Sequence, residues 1–140
     1  MAAEPQVRLG ALAPESLAPA VLALVRAGTA REPALARDLN ATVVLRFLEG
    51  FPAVRLEFTG ASVTVGDHEI LGAPRSVDLT VTGRLPDVLL LVSVPQTAGL
   101  PLPSGPRGRA AVARLADGRI ELDGPLRLGR RLLTLLAIPA

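Results

Sequence analysis

The side chains that could do chemistry are few. The single histidine, His68, lies in a Gly-Asp-His-Glu turn, and the chain has no cysteine. A zinc site built on one histidine would need carboxylates from elsewhere in the chain. Two carboxylate pairs, Asp67 with Glu69 and Glu121 with Asp123, are spaced two residues apart, so each pair points to one side of an extended backbone. We interpret these acids and His68 as solvated surface groups.

Motifs for covalent catalysis or phosphate binding are missing from the sequence. There is no G-x-S-x-G or S-x-x-K nucleophile motif, no G-x-G-x-x-G and no P-loop. Nucleic-acid binding is not expected either, because the chain lacks stacking aromatics and a dense basic stripe. We therefore expect no catalytic residue, no metal and no cofactor, and we expect that the chain is not an enzyme.

The composition indicates one domain with an aliphatic interior. The chain has 140 residues, which is long enough to bury a core, and 49% of them are hydrophobic, yet only three are aromatic. No apolar run reaches the roughly 18 residues of a membrane span. An interior of this kind suits aliphatic ligands better than stacked rings. The N-terminus has no signal-peptide pattern, so a cytoplasmic location is expected. The absence of lysine is typical of GC-rich bacterial genomes.

Charge is unevenly distributed along the chain. From Ser104 onward, the chain contains seven arginines and three acids, which gives a local charge of +4. The preceding part of the chain carries a charge of −2. A basic C-terminal third could meet a phosphate, a carboxylate or an anionic membrane surface. The alternative interpretation is that these arginines are simply solvated.

Residues 1–13 are predicted to be a flexible arm, and residues 14–140 a single domain. Ser16 is a suitable N-cap for a first helix that runs to Ala27 and stops at Gly28. A threonine–glutamate capping box that opens at Thr29 begins a second, short helix.

The hydrophobic period then changes from 3.6 to 2, which predicts strands. Four successive segments alternate apolar and polar residues, and short turns with glycine or proline join them, which favours an antiparallel sheet with one wet face. A fifth alternating segment follows near the C-terminus. The five segments are 41–48, 54–58, 62–65, 77–82 and 118–123.

The rest of the chain is predicted to be helical or irregular. Helices are expected over 85–92 and 109–116, with a proline-rich loop over 94–107 between them. A last helix begins after Pro125, a residue that fits the first helical position. Its leucines occupy about half of the helix circumference, a wider stripe than docking on a sheet requires, so we expect something beyond the sheet to cover it. These leucines are Leu126, Leu128, Leu132, Leu133, Leu135 and Leu136.

Three short motifs in order resemble the sterol carrier protein type two family. They are the strand Gly118–Gly124 (GRIELDG) before a leucine-rich final helix, the strand 78–82 (DLTVT) before an acidic helix start at Asp87, and the helix-to-strand passage 113–119 (ARLADGR). The resemblance covers roughly residues 15–138. The stretch 95–106 is longer than the family's usual connection and could lid a cavity, plug it or contact a partner.

The resemblance implies an α/β fold, here a five-stranded, mostly antiparallel sheet covered by helices on one face. It also implies non-catalytic binding or transfer of a fatty acid, fatty acyl-CoA, sterol-like or isoprenoid lipid in an apolar cavity between the sheet and the C-terminal helices. Head-group candidates are Arg127, Arg130 and Arg131. The predicted lining residues are Leu45, Phe47, Leu56, Phe58, Val63, Val81, Leu89, Val92, Leu100, Ala111, Leu115, Leu128, Leu132 and Leu136.

A second interpretation remains open. The same leucines could form a closed core, and the chain could then be a dimerising or accessory interaction module without a ligand. The expected partners are thus a hydrophobic small molecule, with a homodimer or a transient contact with an anionic membrane as further options, and no nucleic acid.

Overall fold

The computed structural model of the chain describes residues 4–10, 15–72, 76–94, 96–97 and 99–138. Within these ranges, thirteen elements follow one another. The helices are α1 (Ala18–Arg31), α2 (Pro33–Asp38), α3 (Leu85–Ser93), α4 (Pro106–Ala116) and α5 (Leu126–Leu136). The strands are β1 (Gln6–Leu9), β2 (Asn40–Phe47), β3 (Val54–Thr59), β4 (Ser62–Asp67), β5 (Leu79–Gly83), β6 (Gln96–Thr97), β7 (Leu100–Pro101) and β8 (Ile120–Asp123).

The main sheet has six strands and is mixed, so the prediction of five mostly antiparallel strands was wrong in count and direction. Its order is β1-β4-β3-β2-β5-β8, and the pairs β1–β4 and β2–β5 are parallel. The sixth strand, β1, comes from the segment predicted to be a flexible arm. It escaped prediction because its polar–apolar alternation, Gln-Val-Arg-Leu, covers only four residues, the shortest length at which this pattern predicts a strand.

The second parallel pair arises from the connection between β4 and β5. Four alternating segments in succession suggested that each strand would pair with the next. Instead the chain passes β3 and β2 after Asp67, and β5 pairs with the far side of β2, with Val43 opposite Leu79. Two parallel neighbouring strands require a longer connection of this kind.

One row of the sheet places the helices on a single face. Directly opposed residues share a face, and one such row runs from Leu122 through Val81, Leu45 and Val54 to Asp67. Asp67 accepts a hydrogen bond from Ser16, just before α1. At the other end of the row, the Leu122 side chain lies beside Gly129 of α5. Hence α1 and α5 cover the two halves of the same face.

The opposite face is less exposed than the sequence suggested. Arg55 of β3 lies on the face that the alternating pattern of residues 54–58 predicts to be wet, yet only 2% of its surface is exposed. Its guanidinium donates hydrogen bonds to the backbone carbonyls of His68 and Gly72, so the segment after β4 folds back over it. The expectation of one wholly wet face is corrected at this position.

Helix α1 does not stop at Gly28 but continues to Arg31. A Cβ atom on Gly28 would lie 1.9 Å from the carbonyl oxygen of Leu135, so this glycine marks a close crossing of α1 and α5. Thr29 is consequently an interior helix residue, fully buried, and it does not form the predicted capping box. The glycine is required for packing and not for helix termination.

The proline-rich stretch contains a small hairpin of β6 and β7. Gly99 in its turn has a positive φ of 80°. A Cβ atom there would lie 2.0 Å from the carbonyl oxygen of Arg130, so the hairpin packs against the backbone of α5. This hairpin and α1 therefore both pack against the leucine-rich helix, whereas Leu126 in its first turn remains 64% exposed.

Replacement of Gly28 by alanine tests the helix crossing. Helix propensity alone would make Gly28→Ala stabilising by up to about 1 kcal/mol. Because the added methyl group collides with backbone at Leu135, we expect a loss of about 2 kcal/mol or more instead. Urea unfolding followed by far-UV circular dichroism measures the change in the free energy of unfolding.

Gly129→Ala is the matched control. It is also a buried helical glycine, but its added Cβ would meet only the Leu122 side chain at 3.6 Å, an ordinary contact. We expect this variant to be neutral or slightly more stable than the wild type. Equal responses of the two variants would contradict a close α1–α5 crossing.

Candidate functional site

An apolar cavity of about 160 Å³ lies where α1, α3 and the end of α5 meet above the central strand β2. We call it the α1–α3 cavity. Its lining contains no polar side chain, so the space can exchange only apolar contacts with an occupant. The lining residues are Leu17, Ala20, Val21, Leu24, Leu45, Phe47, Leu85, Val88, Leu89, Val92 and Leu136.

Helical and strand periodicity explain why these side chains converge. On α3, Leu85, Val88 and Val92 recur at three and four residues and therefore share one face. On β2, Leu45 and Phe47 are two residues apart and point to the same side. The deepest lining residues are Leu45 and Val92, which are 4% and 1% exposed.

The cavity opens to solvent along α3. Leu89 is 45% exposed although it lines the cavity, and Ala20 across from it on α1 is also exposed. Leu24, Leu85 and Val88 are half-buried. The mouth of the cavity is therefore an apolar rim that is exposed to water when no ligand is bound.

Five of the predicted lining residues come together in this cavity: Leu45, Phe47, Leu89, Val92 and Leu136. Six others are packed into closed core with at most 3% exposure. These are Leu56, Phe58, Val63, Val81, Ala111 and Leu132.

The remaining three predicted lining residues lie apart from the cavity. Leu100 is exposed on the hairpin, Leu115 is half-buried in α4, and Leu128 lines a groove beside α2 and α5.

The α1 side of the cavity was missing from the predicted lining. Leu17, Val21 and Leu24 could be recognised in the sequence as the buried stripe of the first helix. They were not assigned to a site, because the site was expected between the sheet and the C-terminal helices. Leu85 and Val88, likewise recognisable as inward-facing, complete the α3 side.

The three predicted head-group arginines line a different surface. Arg127, Arg130 and Arg131 border a groove of about 540 Å³ beside α2, together with Leu35, Leu126 and Thr134. At about 100° per residue, each of them lies at least about 120° around α5 from Leu136. They therefore do not border the α1–α3 cavity.

The single histidine belongs to a partly buried polar cluster on the opposite face of the sheet. Arg55 donates from Nε to His68 Nδ1 at 3.1 Å and from Nη1 to Glu57 Oε1 at 3.0 Å. Burial, followed by the positive charges of Arg55 and Arg46, holds the pKa of His68 below its ordinary value of 6.5. Nδ1 can accept this bond only while the ring is neutral, so the cluster stabilises structure at neutral pH.

The described ranges contain neither a metal-binding cluster nor a helix that could span a membrane. Among the described residues, no group of three histidine or carboxylate side chains lies close enough to share a metal ion. Within the same ranges, none of the helices has the length and hydropathy that a bilayer crossing requires.

No protein-family model matches the chain, and no curated protein matches it in sequence. Among solved structures it is similar to a UbiJ-SCP2 ubiquinone synthesis protein, with a TM-score of 0.57 and 15% identity, over 86% of this chain and 84% of that chain.

Two other solved structures are similar to this chain at lower TM-scores. A palmitated SCP2L2 from Aedes aegypti has a TM-score of 0.47 and 20% identity, over 88% of this chain and 93% of that chain. The sec-alkylsulfatase Pisa1 from Pseudomonas sp. has a TM-score of 0.49 and 19% identity, over 76% of this chain but only 14% of that chain. Likenesses at these TM-scores are too loose to bear on function.

The element order, the mixed sheet with helices on one face, and the match at a TM-score of 0.57 define a mixed α/β domain. In particular, the chain has a sterol carrier protein type two-like fold, which confirms the resemblance seen in its sequence motifs.

The neutral state of His68 makes a prediction about pH. Between its lowered folded-state pKa and 6.5, the unfolded chain binds more protons at His68 than the folded chain does. The free energy of unfolding should therefore fall as the pH is lowered below about 6.5. Urea unfolding at a series of pH values between about 7 and about 5 measures this slope.

His68→Asn is the variant that isolates the histidine. Its side-chain oxygen can accept from Arg55 near the position of Nδ1, but the amide does not titrate in this range. We expect a flatter pH profile than that of the wild type. Parallel profiles for the two proteins would show that His68 does not contribute to the pH dependence.

Proposed function

We propose that this chain binds an aliphatic ligand non-covalently in the α1–α3 cavity. The observation that carries the proposal is that all eleven lining side chains are apolar and that the cavity opens at an exposed apolar rim. Apolar surface left in contact with water is costly, and a ligand that covers it is favoured. The sterol carrier protein type two-like fold is consistent with this proposal.

The volume of the cavity favours part of a single chain as its occupant. At the ~30 Å³ that one water-sized group occupies in a liquid, about 160 Å³ holds roughly five such groups. A fatty acyl or isoprenoid chain can place its end in this space and lay the rest along the rim. A rigid four-ring sterol would need a larger opening, so a flexible chain is the ligand we propose.

The affinity should be modest. Burying about five methylene groups at ~0.8 kcal/mol each gives roughly 4 kcal/mol, which is about the smallest estimate of the freedom lost on binding. Binding therefore also needs the contacts along the rim at Leu24, Leu85 and Leu89. We expect dissociation constants in the micromolar range or weaker.

The proposed role is binding or transfer without catalysis. None of the eleven lining side chains can donate, accept or hold a proton, or act as a nucleophile. Arg55 and His68 lie on the opposite face of the sheet and bond to each other. The cavity can therefore hold a chain but offers it no reacting group.

A second candidate function is an interaction module without a ligand. The closed packing of Leu56, Phe58 and Leu132, each at most 2% exposed, favours it, because most of the interior has no free space. In that case a second copy or a partner protein would cover the exposed rim. Native mass spectrometry distinguishes the two proposals, since one requires a bound small molecule and the other a second chain.

Ala20→Phe tests the ligand proposal directly. The phenyl ring enlarges the α1 wall and occupies part of the space, so we expect affinity for a neutral chain such as 1-decanol to fall at least about tenfold. The matched control is Ala23→Phe on the exposed side of the same helix, which does not line the cavity. Isothermal titration calorimetry on protein stripped of lipid measures both affinities.

Two results would count against the α1–α3 cavity as the binding site. One is wild-type protein that binds no 1-decanol, and the other is equal loss of affinity in both phenylalanine variants. A ligand-free dimer in native mass spectrometry, together with the first result, would favour the interaction module.

A further inference from the structure

A polar groove of about 400 Å³ lies at the end of the main sheet, where β2 and β5 finish and β8 begins. Leu48, Arg84, Asp87 and Arg119 line it. Arg84 directly precedes α3, and Arg119 directly precedes β8. The groove therefore combines two cations with the start of the helix that forms one wall of the α1–α3 cavity.

The groove and the α1–α3 cavity are neighbours along three stretches of chain. Phe47 lines the cavity, and the next residue, Leu48, lines the groove. In the same way, Leu85 lines the cavity and the residue before it, Arg84, lines the groove. Val88 and Asp87 form the third consecutive pair. Since consecutive Cα atoms are only 3.8 Å apart, the same three stretches of backbone form part of the wall of both the groove and the cavity.

The end of the β5–β8 ladder brings the two arginines near each other. Gly83 pairs with Ile120 at this end, and Arg84 and Arg119 are the residues next to this pair along the chain. Like charges that are held close together repel. An anion between them would remove this repulsion and accept hydrogen bonds from both guanidinium groups.

Neither arginine is neutralised by a neighbour within the described part of the chain. No hydrogen bond or ion pair to the side chain of Arg84 or Arg119 is formed among those residues. Two of the nearby carboxylates are engaged elsewhere. Asp87 pairs with Arg114, and Glu49 accepts from the backbone N–H of Leu85 at 2.9 Å.

We propose that Arg84 and Arg119 form the anion subsite for the head group of the ligand whose chain enters the α1–α3 cavity. This inference rests on the function proposed above and narrows its ligand to an anionic amphiphile. The shared chemistry is a carboxylate or phosphate carried on an aliphatic chain. Arg127, Arg130 and Arg131, although more numerous, border a groove in which no residue is a direct sequence neighbour of a cavity-lining residue.

The experiment compares three ligands with the same chain: decanoate, decyl phosphate and 1-decanol. Each is titrated into the full chain and followed by calorimetry and by ¹⁵N NMR, which resolves arginine Nε–H signals in a protein of 14.5 kDa. We expect both anions to bind the wild type about tenfold or more tightly than the alcohol. The Nε–H signals of Arg84 and Arg119 should shift with the anions only.

The double variant Arg84→Gln/Arg119→Gln removes the proposed subsite without touching the cavity. Both side chains are exposed, so the fold should tolerate the change. We expect it to abolish the preference for the anions and to change the affinity for 1-decanol by less than about twofold. If the variant loses more affinity for decanoate than for decyl phosphate, the head group is assigned as a carboxylate. If it loses more affinity for decyl phosphate, the head group is assigned as a phosphate.

Arg127→Gln/Arg131→Gln is the matched control, since it removes the same two charges from the other groove. It should leave all three affinities within about twofold of the wild type. Anion affinities unchanged in the Arg84/Arg119 variant, with 1-decanol still bound, would overturn the subsite and leave the proposed function standing. Failure of the wild type to bind any of the three ligands would overturn both.

Discussion

The close crossing of α1 and α5 determines where the interior is filled and where it is open. At Gly28, α1 approaches the backbone of α5 at Leu135 so closely that a side chain at position 28 would not fit. Arg31, one turn further on, donates from Nη2 to the carbonyl oxygen of Thr134 at 3.0 Å, and so satisfies a carbonyl in the last turn of α5. The end of α5 is thereby held at one fixed position over the sheet.

The α1–α3 cavity follows from this fixed position. Beyond the end of α5, the backbone N–H of Ile138 bonds to the carbonyl oxygen of Val92 at 2.7 Å, which attaches the chain to α3. α5 is thus tied to α1 on one side and to α3 on the other, while α1 and α3 stay apart above Leu45 and Phe47. Interiors pack densely wherever elements can approach, so free space persists only where their positions are already fixed by other contacts.

Local patterns could predict the elements, but not the contacts that override them. The alternation around Val43 and the spacing of the C-terminal leucines gave β2 and α5 nearly at their observed bounds. Gly28 was misread because a glycine that ends a helix and a glycine at a helix crossing have the same local signal. Arg55 was misread because alternation places it on the outer face, while its burial depends on the segment that folds back over it. The cavity joins α1 to α3, a long-range relation that no periodicity encodes.

The buried polar groups and the apolar cavity of this domain lie in separate places. Arg55, buried on the outer face, has hydrogen-bond partners at His68 and Glu57, so its charge is compensated without any group that enters the helix-covered side. Asp67 is buried on the helix-covered side and bonds to Ser16 before α1 begins. Arg84, Asp87 and Arg119 line a separate groove at the end of the sheet and are not part of the cavity lining. This arrangement keeps the cavity lining wholly apolar.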